Sequence, residues 1–208
     1  MIIVSNRVSE CRNKNKKVLP RAAVRYLVIH RTDLNTFDPF TNPRPVPDDK
    51  LDGPALAKRF QDAPAAHPAG LGTGGLTPYH FLIRANAPLY TVEQILPLTL
   101  RGAHTIGFNW QSWGIALVGD FRKASPPPTQ YVNLVSLVAM LLPTNGGLQV
   151  MGHTDAPDTS VDPGKRCPGV GLSTAQITAD TIGLLPAEWT SWGQDQIDLA
   201  LLAAGITI

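Results

Sequence analysis

The sequence predicts an α/β fold, a β-sheet covered by helices. Three observations carry that expectation. Short β-branched apolar runs recur along the chain, two longer segments have helical apolar spacing, and a helix leads directly into a late strand. At 208 residues, 43% of them apolar and with a mean hydropathy of −0.02, the chain is long enough for one compact domain and short for two.

The elements follow in order. "VRYLVIH", Val24 to His30, is a β-rich run that reads as a buried strand with a histidine at its end. "TNPRPVPDDKLDGP" holds four prolines and is a loop. A short helix is expected from Pro54 to Asp62, opened by a proline suited to a first turn, with Leu56 and Phe60 on one face. "HPAGLGTGGLTP" is Gly-rich but lacks the Lys-Ser/Thr ending of a phosphate-binding loop, so it is expected as a surface loop near a cleft.

"YHFLIRANAPLYTVEQIL" reads as two strands joined at "ANAP", and "SWGIALVGDF" as a third ending in a Gly-Asp turn. In "TQYVNLVSLVAMLL", Val132, Leu134, Val135, Val138, Leu141 and Leu142 mark a helix. "NGG" then turns the chain into "LQVMGH", a strand that delivers His153 at its end. Ser173 is placed to cap a helix through Ile182, and "DQIDLALLAAG" forms a last one. No internal repeat is visible.

Charge divides the chain unevenly. Arg7, Arg12, Lys14, Lys16, Lys17, Arg21 and Arg25 fall in the first 25 positions beside one acid, Glu10, so the remainder is mildly acidic. We set off residues 1–23 as a basic arm, 24–184 as the main domain and 185–208 as a helical extension docked on it. The arm has no interleaved aromatic residues, which removes base stacking, so no nucleic-acid partner is expected. "EWTSWGQDQ", with Trp189 and Trp192, is too short to form a core alone and is expected to dock.

The apolar start of "MIIVSNR" is too short for a signal-peptide core, and no run approaches the roughly 18 apolar residues of a spanning helix. A product made in the cytoplasm, without a transmembrane segment, is therefore expected. Two cysteines cannot build a disulfide framework, and nothing in their settings favours a bond between Cys11 and Cys167.

His30 and His153 each follow an apolar strand, so both can project from one sheet edge. Cys167 then arrives from the irregular stretch "GHTDAPDTSVDPGKRCPG", whose prolines and glycines can fold it back over that edge. Two imidazoles and a thiolate make a zinc set with a fourth position open, as in catalytic sites. Spacing alone leaves an alternative open, because a strand-end histidine also serves as a hydrogen-bonded core or surface residue. His80 is adjacent to Tyr79 on an expected strand; if Tyr79 faces the site, His80 faces away and is structural. Asp155 either supports His153 or forms a turn with Pro157, and the turn is the simpler reading. His67 is expected exposed. Phe108, Trp110 and Trp113 suit core packing first and ring stacking on a ligand second.

Taken in order, "YLVIH", "TPYHFLIR", "RGAHTIGFNWQSWGIALVGDF" and "GHTDAPDTSVDPGKRCPG" resemble the zinc-dependent N-acetylmuramoyl-L-alanine amidases of the amidase-2 type, which include phage endolysins and peptidoglycan recognition proteins. The resemblance spans roughly residues 24 to 170. It implies a central mixed β-sheet flanked by helices, with zinc held by His30, His153 and Cys167. It also implies that Tyr79 and Lys165 assist catalysis, and places His104 and Asn109, in a segment similar to the family's "HaG...N", near the substrate, where His104 either contacts it or stabilises the loop.

The extra residues around "PDTSVDP" depart from phage-type relatives and also resemble the "DPG" loop of cell-wall-recycling amidases, which makes Asp162 a rival ligand. Cys167 is preferred, because the register of Lys165 agrees with "CPG". The implied activity is hydrolysis of the amide between N-acetylmuramic acid and L-alanine in peptidoglycan, by a monomeric phage or prophage lysis enzyme that acts on the wall after release. Two other classes stand beside it: a non-catalytic recognition module, and a hydrolase with Cys167 as nucleophile and His153 as base.

Overall fold

The computed structural model describes residues 4–11, 17–32, 54–55, 57–58, 76–84, 92–157 and 167–208. Six strands, β1 (Val4–Asn6), β2 (Tyr26–Arg31), β3 (Phe81–Ile83), β4 (Val92–Gln94), β5 (Ser112–Leu117) and β6 (Gln149–Gly152), form one sheet in the order β1-β4-β3-β5-β2-β6. Only β3 and β4 pair antiparallel; every other neighbouring pair is parallel, so the sheet is mixed.

The two central strands are buried almost throughout, β5 at every residue and β2 at all but Tyr26, which explains why both read as near-continuous apolar runs. Their alternation still separates two faces. Leu27 and Ile29 of β2, Trp113, Ile115 and Leu117 of β5, and Phe81 and Ile83 of β3 belong to the main core. That core is completed by three helices: α1 (Pro128–Leu141), α2 (Thr174–Ile182) and α3 (Gln194–Ala203).

Helix α1 starts with Pro128 in its first turn and buries Leu134, Leu137, Val138 and Leu141, one stripe at helical spacing. Its buried Gln130 donates from Nε2 to the Ile83 and Val118 carbonyls at 2.7 and 3.1 Å, tying the helix start to the ends of β3 and β5. Ser173 caps α2 as expected, its Oγ accepting from the Gln176 N–H at 3.4 Å.

The opposite face carries the smaller side chains. Ser112, Gly114 and Ala116 of β5 alternate with the core residues, and Leu82, Ala116 and Val118 pack with Cys11, Ala57, Ile95 and Tyr79 in a second, smaller cluster. Beside this face the site is built.

The chain ends meet at the β1 edge. The Val4 N–H donates to Ala204 O at 3.0 Å, the Leu98 N–H to Thr207 O at 3.4 Å, and Arg21 pairs with Asp198 of α3. Residues 1–23, set apart by charge, thus contribute an edge strand, and Leu19 of the same stretch is a core residue at 1% exposure. Charge composition carries no information about backbone pairing, which is why a three-residue edge strand escapes it. Residues 54–55 and 57–58 are helical where a helix was expected; its remainder and the "ANAP" junction lie outside the described residues. Among the described residues no helix is long and apolar enough to cross a membrane.

Candidate metal centre

Strand register brings the histidines together. β2 and β6 run parallel with Ile29 opposite Gly152, so the next residue of each is a histidine, His30 inside β2 and His153 in the turn after β6. Their ring centroids are 4.6 Å apart. His30 is 1% exposed, while His153 is half-buried.

Cys167 is returned to this point by Thr154, whose N–H and Oγ1 both donate to the Cys167 carbonyl, at 3.2 and 2.8 Å. Gly152 makes the return possible: a Cβ there would stand 2.8 Å from Pro168 Cδ and 3.1 Å from the Cys167 carbonyl oxygen. Asp155 Oδ2 accepts from the Gly152 N–H at 2.8 Å, so this carboxylate closes the turn.

One ligand atom from each of His30, His153 and Cys167 lies within 4.8 Å of the others. Ligand pairs around a tetrahedral zinc stand roughly 3.3 to 3.8 Å apart, from Zn–N and Zn–S bonds of about 2.0 to 2.3 Å, so a side-chain shift of about an ångström closes the set. Burial lowers the pKa of both His30 and His153; for His30 the neighbouring His153 and His104 add to the effect. Both rings are therefore neutral near pH 7 with a lone pair to give. Cys167 is 8% exposed and is not in a disulfide with Cys11, and sulfur of this kind binds a metal as the thiolate. The donor set fits zinc.

Tyr79 is half-buried, and its ring stands 5.0 Å from that of His30. His80 is fully buried and bound through both ring nitrogens: Nδ1 accepts from the Gly114 N–H at 3.0 Å, so Nε2 donates to Leu100 O at 2.9 Å. It is structural.

His104 is only 7% exposed, behind His30, with Nδ1 3.1 Å from His30 Nε2 and 3.0 Å from Thr105 Oγ1. Asn109 Oδ1 accepts from the His104 and Thr105 N–H groups at 2.9 and 2.8 Å. The two residues placed near the substrate by resemblance thus face the back of the metal site and the loop that holds it. Of the expected rings, Trp113 and Phe108 are buried and Trp110 is exposed. Lys165, Asp162 and His67 lie outside the described residues.

The sequence reading missed Thr105 and Ser112, whose hydroxyls meet the two imidazoles. A signal was present: Ser112, Gly114 and Ala116 are small on one strand face where the other carries Trp113, Ile115 and Leu117, which leaves room for rings over the small face.

A sheet whose parallel strands deliver two histidines to a returning cysteine defines the protein class. Residues 20–170 match the family Amidase_2, described as N-acetylmuramoyl-L-alanine amidase, and the chain belongs to that family. It is 29% identical over 97 residues to a peptidoglycan-recognition protein of Drosophila melanogaster, a match covering 45% of this chain and 48% of that protein. The matched region spans about half the length of this curated relative.

Among solved structures it shares its fold with N-acetylmuramoyl-L-alanine amidase LysC from Clostridium intestinale, at 20% identity and TM-score 0.56 over 86% of this chain and 97% of that one. The Ph2119 endolysin of a Thermus scotoductus bacteriophage matches at 21% identity and TM-score 0.56, over 86% and 98%. Drosophila PGRP-LB matches at 22% identity and TM-score 0.53, over 86% and 94%.

Proposed function

We propose that this protein is a zinc-dependent amidase that cleaves the bond between the lactyl carbonyl of N-acetylmuramic acid and the amine of L-alanine in peptidoglycan. The convergence of His30, His153 and Cys167 is the observation that carries the reading. Family membership supports it, and so does the fold shared with a phage endolysin.

Zinc, when bound, supplies a Lewis acid that polarises a carbonyl and acidifies water. The chain's own groups do the rest. His30 and His153 would hold the ion as neutral donors and Cys167 as an anionic one. To Tyr79, beside His30, we assign a hydrogen bond from its hydroxyl to the oxyanion that develops on the lactyl carbon. Lys165 is assigned a second, cationic contact to the same oxygen. Water adds to the carbonyl carbon, the C–N bond breaks, and the alanine amine leaves with a proton.

All three ligands come from one chain, so a monomer suffices. The setting we infer is a phage or prophage lysis enzyme, made in the cytoplasm and acting on the wall after release.

Mass spectrometry of digested peptidoglycan, with metal analysis of the same preparation, tests the reading. New L-alanine amino ends, lost on chelation and restored by zinc, are expected. Binding of muropeptides without cleavage would identify a recognition module, the reading favoured by likeness to the Drosophila recognition protein. Activity indifferent to chelation but destroyed by alkylation would make Cys167 a nucleophile.

A further inference from the structure

Behind His30 runs a chain of hydrogen bonds whose direction is fixed at its far end. Ser112 Oγ lies 2.7 Å from the Phe108 carbonyl oxygen. A carbonyl only accepts, so the hydroxyl hydrogen points there. The oxygen it leaves faces His104 Nε2 at 3.5 Å, the long limit of such a bond, and can only accept from it. In the neutral imidazole one nitrogen carries hydrogen and the other a lone pair. His104 therefore carries its hydrogen on Nε2 and presents a lone pair at Nδ1.

That lone pair faces His30 Nε2 at 3.1 Å. Two lone pairs at this separation repel, so His30 Nε2 bears the hydrogen. Thr105 Oγ1, 3.0 Å from His104 Nδ1 and 3.3 Å from His30 Nε2, closes the triangle and can accept a share of the His30 hydrogen. The opposite arrangement, with hydrogen on His104 Nδ1, leaves lone pair against lone pair at Ser112.

The His104 ring is fixed in place as well as in hydrogen position. Gly114 packs against it from the sheet, and the main-chain N–H groups of His104 and Thr105 both bind Asn109.

On the reading that His30 is a zinc ligand, we propose that His104 is its positioning residue. Anchored by Ser112, it accepts the Nε2 proton of His30 and so presents the Nδ1 lone pair of His30 to the metal. Metal-bound histidines commonly give their second nitrogen to a carboxylate, a carbonyl or water; here a second imidazole takes that place.

The test has two arms. In the first, 15N NMR of metal-free, histidine-labelled wild-type protein reads the tautomers without any substitution: His30 and His104 are both expected to be protonated at Nε2. His30 protonated at Nδ1 instead would overturn the proposal. In the second, zinc dissociation constants are measured by chelator competition for His104→Phe, which keeps the ring shape but accepts nothing, and His104→Asn, whose amide oxygen can stand near the Nδ1 position.

The Phe variant is expected to bind zinc about 10- to 100-fold more weakly, and the Asn variant to recover most of that loss, with KM at saturating zinc little changed. A folded Phe variant with wild-type zinc affinity, or an Asn variant as weak as Phe, also overturns it. Wild-type protein that takes up no zinc removes the parent reading and this one together. Wild-type zinc uptake and activity with indifferent His104 variants removes this one alone.

Discussion

Gly114 lies against the ring of His104 so closely that a Cβ at this position would stand 2.7 Å from Cγ and 2.8 Å from Cδ2. The contact joins a central strand to the loop behind the metal site, so a single methyl group is enough to move the ring. Gly114→Ala is expected to destabilise the protein by about 1 to 3 kcal/mol through overpacking. It should also weaken zinc binding, because His104 carries the displacement to His30. Chemical denaturation and a zinc titration on the same sample check both; unchanged values for both would show that the ring yields freely.

Metal removal should appear as lost stability, since the three proposed ligands come from β2, the turn after β6 and the returning loop. A ligand that binds only the folded state stabilises it by about 2.7 kcal/mol at a hundred times its dissociation constant. Zinc added to metal-free wild-type protein is expected to raise Tm, and Cys167→Ala to abolish the rise. A zinc-dependent rise that survives Cys167→Ala would exclude the thiolate as a ligand.

How far the site was legible follows from its geometry. His30 and His153 could be found because each closes an apolar run of the sequence, and two parallel strands in register bring such positions together. Cys167 was harder: its return rests on Thr154 and on the missing side chain of Gly152, contacts across the loop that no periodicity announces. The role of His104 was invisible, since its partner His30 is 74 residues away and only the folded sheet sets their distance. Similarly, β1 pairs with β4 across some ninety residues, and nothing local in a short basic segment encodes that choice.

Thr154→Ala removes the hydroxyl that donates to the Cys167 carbonyl at 2.8 Å while leaving the backbone bond at 3.2 Å. A net loss of about 1 kcal/mol is expected from one such bond. The larger consequence should be weaker zinc binding, because the thiolate is held less firmly. Thr154→Ser restores the hydroxyl and is expected to recover both; a Ser variant no better than Ala would assign the effect to the lost methyl group.

Tyr79→Phe keeps the ring against His30 and removes only the hydroxyl. If that hydroxyl serves the oxyanion, kcat should fall on the order of 10²-fold or more, with zinc affinity and folding stability near wild type. Steady-state kinetics on a defined muropeptide, with zinc content measured alongside, separates this from damage to the metal site. Loss of zinc in proportion to loss of rate would move Tyr79 from the substrate to the support of His30.

His80 supplies a pH dependence whose sign can be worked out. Burial pushes its pKa down to about 4 from 6.5, against a partial opposing effect of its bond to Leu100. Between those values the unfolded chain binds a proton that the folded protein refuses, so stability rises with pH across that window. The contribution is fully present above about 6.5 and is lost as pH falls toward 4, amounting at full span to about 3 kcal/mol at 1.36 kcal/mol per unit. His30, His104 and His153 have lowered pKa values too and act in the same direction in the metal-free protein. Denaturant midpoints of metal-free protein should therefore fall from pH 7 to pH 4. The fall should be shallower in His80→Gln, whose amide keeps a donor for the Leu100 carbonyl but has no proton to take up. An equally steep fall in that variant would place the titration on the other histidines and show that His80 is protonated at no cost to the fold.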